Sequence, residues 1–380
     1  MHPTRQAGRS HPSGEGPRLL PRTPHGDAAP NSARTGRGER GIRTRRRTAF
    51  AAAGATLALA AVAALSGFHL PLATVDADGA SGEVPAGARL GIRTFTTPDG
   101  LTVDADLEYG TQPDGTLLTL DVCRPEGGAA TARAAVVAIH GGSWQRGAKD
   151  DPDWRRVCLW LASEGFVAAA VDYRLVPDAV FPAQIDDVSL AVEWMREHAA
   201  DFGADPSRIG VLGGSAGGQL ATLLGTRGEG ATDAGSRVAA VVELSGPVGL
   251  REPELESDGA SDWLRGIVDA YLGCEPEQRG ADRAACTEAR AEATPAGHAD
   301  ASDPPVFIGH ATDEIIPLAQ AERLARELRE AGVVVELAVV QGGGHSIGIL
   351  GEELRAKVAA FLHAHLAPVP ASEAEATSAR

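Results

Sequence analysis

Apolar positions along this chain fall into short continuous runs, and the segments between the runs carry helical spacing. Runs at residues 117–123, 134–140, 166–172, 208–212, 238–244, 305–309 and 333–340 read as strands. Several are apolar throughout rather than alternating, the pattern of strands covered on both faces by helices. Between them, PAQIDDVSLAVEWMREHAADFG, AQAERLARELREAG and GEELRAKVAAFLHAHL repeat their apolar residues at helical intervals. The alternation predicts an α/β protein with a mostly parallel central sheet in a three-layer sandwich. Residues 250–303 interrupt the rhythm with a long acidic insertion. It is expected as a lid over the C-terminal edge of the strands, where open α/β sheets bind ligands.

Charge divides the chain before that body begins. Residues 1–47 hold eleven Arg against Glu15, Asp27 and Glu39, a balance of +8, so the total of −16 leaves −24 on residues 48–380. So acidic a body makes nucleic acid an unsuitable partner. Arg43, Arg45, Arg46 and Arg47 precede a charge-free run over 49–65 that is apolar but for Thr56. This reads as a secretory signal or a membrane anchor, and Arg46-Arg47 loosely resembles a twin-arginine signal. The run is marginal for a bilayer span and long for a cleaved signal, so both readings stand, with small-residue cleavage sites at Ala64-Leu65-Ser66 or near Ala73. Positive-inside logic keeps the leader in the cytoplasm and sends the catalytic domain out, extracellular or membrane-anchored. The expected organisation is a basic leader (1–47), a signal or anchor (48–70), a linker (71–90), a catalytic domain (91–368, with its lid at 250–303) and a disordered acidic tail (369–380).

Four cysteines suit an exported domain that carries disulfides. Cys274 and Cys286 lie close together in the insertion and form a candidate bridge or a pair of free thiols; for Cys123 and Cys158 the sequence leaves the pairing open. Their spacing, and that of the histidines, offers no metal site.

The chemistry is concentrated in IGVLGGSAGGQLA, where Gly213, Ser215 and Gly217 spell G-x-S-x-G between a strand and a helix. Such a turn exposes the serine oxygen at a helix N-terminus. In VVAIHGGSWQRGAKD the backbone after the strand can aim the N–H groups of Gly141 and Gly142, with that of Ala216, at one oxyanion. Ser143 and Trp144 beside them are candidates for the acyl pocket, with a packed core Trp an equal reading of Trp144; Arg146 and Lys149 read as solvated loop cations that could meet an acidic substrate. A serine nucleophile needs a base and an orienting acid. PPVFIGHATDEIIP places Asp313 just past one strand, with Glu314 as the alternative acid, and VVQGGGHSIG places His345 past the next. Ser215, Asp313 and His345 therefore form the expected triad, in the Ser-Asp-His chain order of an α/β-hydrolase. His140 is expected to brace the oxyanion loop.

IHGGSW, VDYRLVPDAVFPAQIDDV, DPSRIGVLGGSAGGQLA, DPPVFIGHATDEIIP and QGGGHS occur in that order. Together they resemble α/β-hydrolase esterases related to hormone-sensitive lipase, especially the bacterial acetyl-xylan and feruloyl esterase-like branch. The resemblance covers about residues 106–366. It implies an α/β-hydrolase fold and a serine esterase that needs no cofactor. The same triad would act through an acyl-enzyme on short-chain esters of a small molecule or a polysaccharide. It also implies that Asp172, Tyr173, Arg174 and Asp186 are framework residues. Two positions depart from the pattern: Ser143 stands where a third loop glycine is usual, and Gly214 precedes the nucleophile where an acid is usual. HGGSW is similar to the loop of arylformamidases as well, which makes an amidohydrolase the alternative; a non-catalytic adhesion module on the same scaffold is a third reading.

Overall fold

Every run read as a strand forms one, and a further strand precedes them. The computed structural model describes residues 90–112, 114–128, 131–274 and 281–368, and a short antiparallel pair at Ala73–Val75 and Ser81–Glu83. The expected leader, the signal or anchor and the tail lie outside the described residues, as does most of the linker. The main sheet comprises β1 (Leu101–Thr111), β2 (Leu117–Pro125), β3 (Arg133–Ile139), β4 (Val167–Val171), β5 (Ala204–Gly214), β6 (Ala240–Leu244), β7 (Val306–Ala311) and β8 (Val335–Val340). Its spatial order is β8-β7-β6-β5-β3-β4-β2-β1. The β1–β2 and β2–β4 pairs are antiparallel and all the others parallel.

Helices cover both faces, as the continuous apolar strands require. Along β3, Ala135, Val137 and Ile139 enter one core, while Ala134, Val136 and Ala138 enter the other. The first core is closed by α2 (Ala183–Glu197), α3 (Ala216–Thr226) and α7 (Leu318–Glu330), through residues such as Ile185, Leu220 and Leu324. The second is closed by α1 (Pro152–Ser163) and α8 (Glu352–His365), through Trp160 and Phe361 among others.

The insertion folds into α4 (Glu252–Ser257), α5 (Asp262–Leu272) and α6 (Ala281–Glu292). Helix α5 starts where the Ser261 hydroxyl accepts the Leu264 N–H at 3.2 Å, and ends at Gly273, whose φ of +66° suits a residue without Cβ. Its apolar stripe of Leu264, Val268, Tyr271 and Leu272 faces the protein. Arg290 of α6, nearly buried, pairs with Asp269 of α5. Cys274 and Cys286 are bridged, joining the end of α5 to α6, and Cys123 is bridged to Cys158, tying β2 to α1. Among the framework residues, the buried partner of Arg174 is Asp187, at 2.8 Å, and not Asp186, which lies one position round α2 and reaches Arg227 at 3.6 Å.

Candidate active site

Strand β5 turns into α3 through Ser215, held at φ +56° and ψ −124°. That conformation is costly for a residue with a Cβ, and its persistence between a strand and a helix points to a functional turn. The Ser215 N–H donates to the Leu244 carbonyl at 2.8 Å, which locks the turn to β6. Gly213 and Gly217 are required by approach: a Cβ on the first would strike the Gly217 carbonyl, and a Cβ on the second the carbonyls of Ile139 and His140. The start of α3 thus lies against the end of β3, which brings the serine to the loop that follows β3.

That loop is itself strained. Gly142, Ser143 and Trp144 all have positive φ, at +123°, +59° and +57°. A Cβ on Gly142 would collide with the Arg146 carbonyl, and one on Gly141 would come within 3.0 Å of the Ser215 Cβ. His140 braces the loop as expected: buried, it stacks on Tyr173 at 4.3 Å, and its Nδ1–H donates to the Gly141 carbonyl at 2.8 Å. The Tyr173 hydroxyl donates to the His140 carbonyl at 2.9 Å. Burial lowers the imidazole pKa of His140, so it stays neutral in this role.

Lys149 is not a solvated cation. Its ammonium sits almost fully buried between Asp106, at 2.7 Å, and Asp121, at 3.0 Å. Burial opposes its charge, but these hydrogen bonds outweigh burial and raise its pKa. Its N–H donates to Asp172 at 2.8 Å, so the buried charges anchor the far end of the oxyanion loop.

Trp144 is corrected too. Completely buried, it stacks on Tyr271 of the lid at 4.1 Å and donates its indole N–H to Gln219 at 3.2 Å. The positive φ of Ser143 and Trp144 turns the indole inward to the core. The aromatic residues that line the cavity are instead Trp154 and Trp263, with Ser143 beside them. The cavity, of about 300 Å³, also exposes Ser215, Gly141, Gly142 and His345. Ala216 lies buried directly behind the serine.

His345 follows β8 and donates its Nδ1–H to a carboxylate, which belongs to Glu314. The expectation for Asp313 is therefore corrected. Beyond β7 the chain bends through residues 312–316, where the Thr312 N–H donates to the Val340 carbonyl at 2.9 Å and the Asp313 N–H to the Gly342 carbonyl at 3.1 Å. Asp313 is left exposed, and the Glu314 side chain, 2% exposed, enters the site. Its Oε1 accepts the Ser245 hydroxyl at 2.7 Å and the Ala311 N–H at 3.2 Å. His310, the other histidine near this strand, is buried with its Nε2–H donating to the Ile316 carbonyl at 2.9 Å, away from Ser215. Ser215 and His345 face one cavity without a direct hydrogen bond, a gap that catalytic pairs commonly close when substrate binds.

The glycine that stands where an acid is usual has a local reason. A Cβ on Gly214 would collide with the Ser346 hydroxyl, and Ser346 follows the histidine directly. Restoring the acid by Gly214→Asp is expected to displace the His345 segment and to cut the kcat/KM of any reaction at Ser215 about 100-fold, the scale set by a displacement near 1 Å. The double variant Gly214→Asp/Ser346→Gly should recover part of the loss in the same assay, since φ at Ser346 is +57° and suits glycine.

Behind the elbow lies Glu243, fully buried beside Gly218, accepting the Gly246 N–H. Burial pushes its carboxyl up to about 8 from an ordinary 4.5, against the Gly246 hydrogen bond, and the negative charge of Glu314 reinforces the rise. The folded state therefore holds a proton that the unfolded chain releases between these two values, and stability falls as pH rises across that window. Glu243→Gln is expected to raise the urea midpoint at pH above 8 and to leave it unchanged well below pH 4.5, where the carboxyl is neutral in both the folded and the unfolded chain.

Strand order, serine turn and the acid–histidine pair beyond β7 and β8 together define an α/β-hydrolase. The chain belongs to the BD-FAE family, whose model matches residues 120–328. It is similar to "Probable carboxylic ester hydrolase LipM" of Mycobacterium tuberculosis, 29% identical over 282 residues that make up 71% of this chain and 62% of that protein. It is similar to ethyl acetate hydrolase of Pseudomonas putida, 29% identical over 299 residues, 75% of this chain and 87% of that one. Among solved structures it resembles the native thermophilic esterase Est2 of Thermogutta terrifontis, with a TM-score of 0.55 and 26% identity, covering 71% of this chain and 93% of Est2. The chain spans about three fifths of the length of the first curated relatives it matches.

Sequence reasoning missed Ser245, Ser346, Trp154 and Trp263. Ser245 and Ser346 both have positive φ, at +56° and +57°, a backbone state that no local sequence pattern announced.

Proposed function

We propose that this protein hydrolyses carboxylic esters, with short acyl groups preferred, through an acyl-enzyme on Ser215. His345 takes the serine proton as the oxygen attacks the ester carbonyl, and Glu314 holds the imidazole and steadies the imidazolium that forms. The N–H groups of Gly141, Gly142 and Ala216 receive the oxyanion. His345 then protonates the leaving alcohol, and water repeats the attack on the acyl-enzyme. The observation that carries this reading is the meeting of Ser215 with the His345–Glu314 pair at one cavity of about 300 Å³. The esterase names of the relatives support it, and the small cavity favours short acyl chains.

Purified protein should be labelled by a fluorophosphonate on the peptide that contains Ser215, and should hydrolyse p-nitrophenyl acetate faster than the octanoate. Folded protein that neither labels nor hydrolyses overturns the reading. Faster turnover of N-formylkynurenine than of any ester would favour the amidohydrolase. The Arg-rich leader, the apolar run at 49–65 and the two disulfides support export, with the domain outside the cytoplasm. Fractionation of expressing cells tests that placement.

A further inference from the structure

One charged side chain in the cavity is not engaged by the fold. Arg146 lies on the oxyanion loop, its N–H donating to the Gly142 carbonyl at 3.2 Å, so its backbone is fixed directly beside an oxyanion glycine. Its side chain is exposed and lines the same cavity as Ser215 and His345. Among the described residues no carboxylate or carbonyl holds its guanidinium, and no aromatic ring lies beneath it. Elsewhere in the domain arginines are tied down: Arg155 to Asp121, Arg174 to Asp187, Arg290 to Asp269 and Arg323 to Asp258. The other charge in the cavity, Asp151, is already engaged. It stands at the N-cap of α1, where a helix N-terminus favours negative charge, and its carboxylate accepts the Ala148 N–H at 3.1 Å.

A guanidinium offers paired donors that match a carboxylate, and a free one lining the cavity is available to what enters it. The surrounding domain is strongly acidic, −24 over residues 48–380, and repels anions at long range. An unengaged Arg at the mouth reverses that repulsion locally. We infer that Arg146 is a specificity-determining residue that selects esters bearing a carboxylate near the scissile bond. This rests on the esterase reading above. The carboxylate belongs to the alcohol portion or to the acyl portion, and the recognition chemistry is the same for both.

Two pairs of substrates test it. On the alcohol side, 4-acetoxybenzoate is compared with 4-acetoxybenzamide; on the acyl side, mono-p-nitrophenyl glutarate with p-nitrophenyl butyrate. In each pair the ratio of kcat/KM, anionic over neutral, is measured for the wild type, Arg146→Gln and Arg146→Glu. The ratio is expected to fall about tenfold in Gln and further in Glu, in the pair that matches the carboxylate's side, mostly through KM. Added salt should reduce the wild-type ratio and leave that of Arg146→Gln nearly flat. Because the inference concerns ratios, each substrate's intrinsic reactivity cancels between wild type and variant. Unchanged ratios in both pairs, with neutral esters still turned over, overturn the inference and leave the esterase reading intact. No turnover of any ester by folded, unlabelled wild type overturns both.

Discussion

Replacing Glu314 with Gln is expected to lower kcat for p-nitrophenyl acetate by about 10³- to 10⁴-fold, whereas Asp313→Asn should leave it within about twofold, as for an exposed side chain away from the site. The size of the first effect follows from which oxygen does what. Oε1 of Glu314 accepts from the Ser245 hydroxyl and the Ala311 N–H, so a glutamine in this place keeps its carbonyl there. Its NH₂ group then faces His345 Nδ1, which must become the acceptor. The ring proton moves to the other nitrogen and points at Ser215, so the base enters the reaction already occupied. Steady-state kinetics of the two variants, with melting curves to show that both are folded, decide between the acids. If Asp313→Asn is the more damaged, the assignment of Glu314 is wrong.

Ser215 gives the larger effect and a second readout. Ser215→Ala should remove about 10⁶-fold of kcat and all fluorophosphonate labelling. Ser215→Gly should be equally inactive yet more stable than the alanine variant. The backbone at +56°, −124° costs about 1–3 kcal/mol for a residue with a Cβ. Glycine removes that cost and returns only about 1 kcal/mol of it as extra freedom in the unfolded chain. Urea midpoints of the two inactive proteins should therefore separate in favour of glycine; a glycine variant less stable than the alanine variant would show that the elbow is unstrained.

Most of the architecture was legible because both faces of the sheet are buried. That leaves β4 an unbroken apolar run, β3 apolar from Ala134 onward and β6 apolar but for Glu243. Strand β1 was not read, because LTVDADLEYGT is an edge strand, largely exposed and polar at half its positions. The serine, the oxyanion glycines and the histidine were readable because each sits on a turn whose geometry demands particular residues. The acid was misassigned between neighbours. Asp313 and Glu314 are adjacent carboxylates, and the choice depends on how the chain bends after β7, where hydrogen bonds to residues 340 and 342, at and beyond the end of β8, hold it. Trp144 was misplaced for a similar reason, since only the two positive φ angles at 143 and 144 turn it away from the substrate. Lys149 looked like a surface charge because its partners, Asp106 and Asp121, lie on strands far away in sequence.

The stacking of Trp144 on Tyr271 couples two properties that protein engineers would like to vary separately. One ring belongs to the loop proposed to receive the oxyanion, and the other to α5 of the inserted helices, which form the roof. Gln219, on the nucleophile's helix, holds both, accepting from the indole and donating to the Ala293 carbonyl on the roof's return segment at 2.8 Å. Widening the doorway by shifting α5 therefore drags on the groups that speed the reaction, and broader tolerance will come more cheaply from side chains at the rim, such as Trp263 and Ile315, than from remodelling the roof itself.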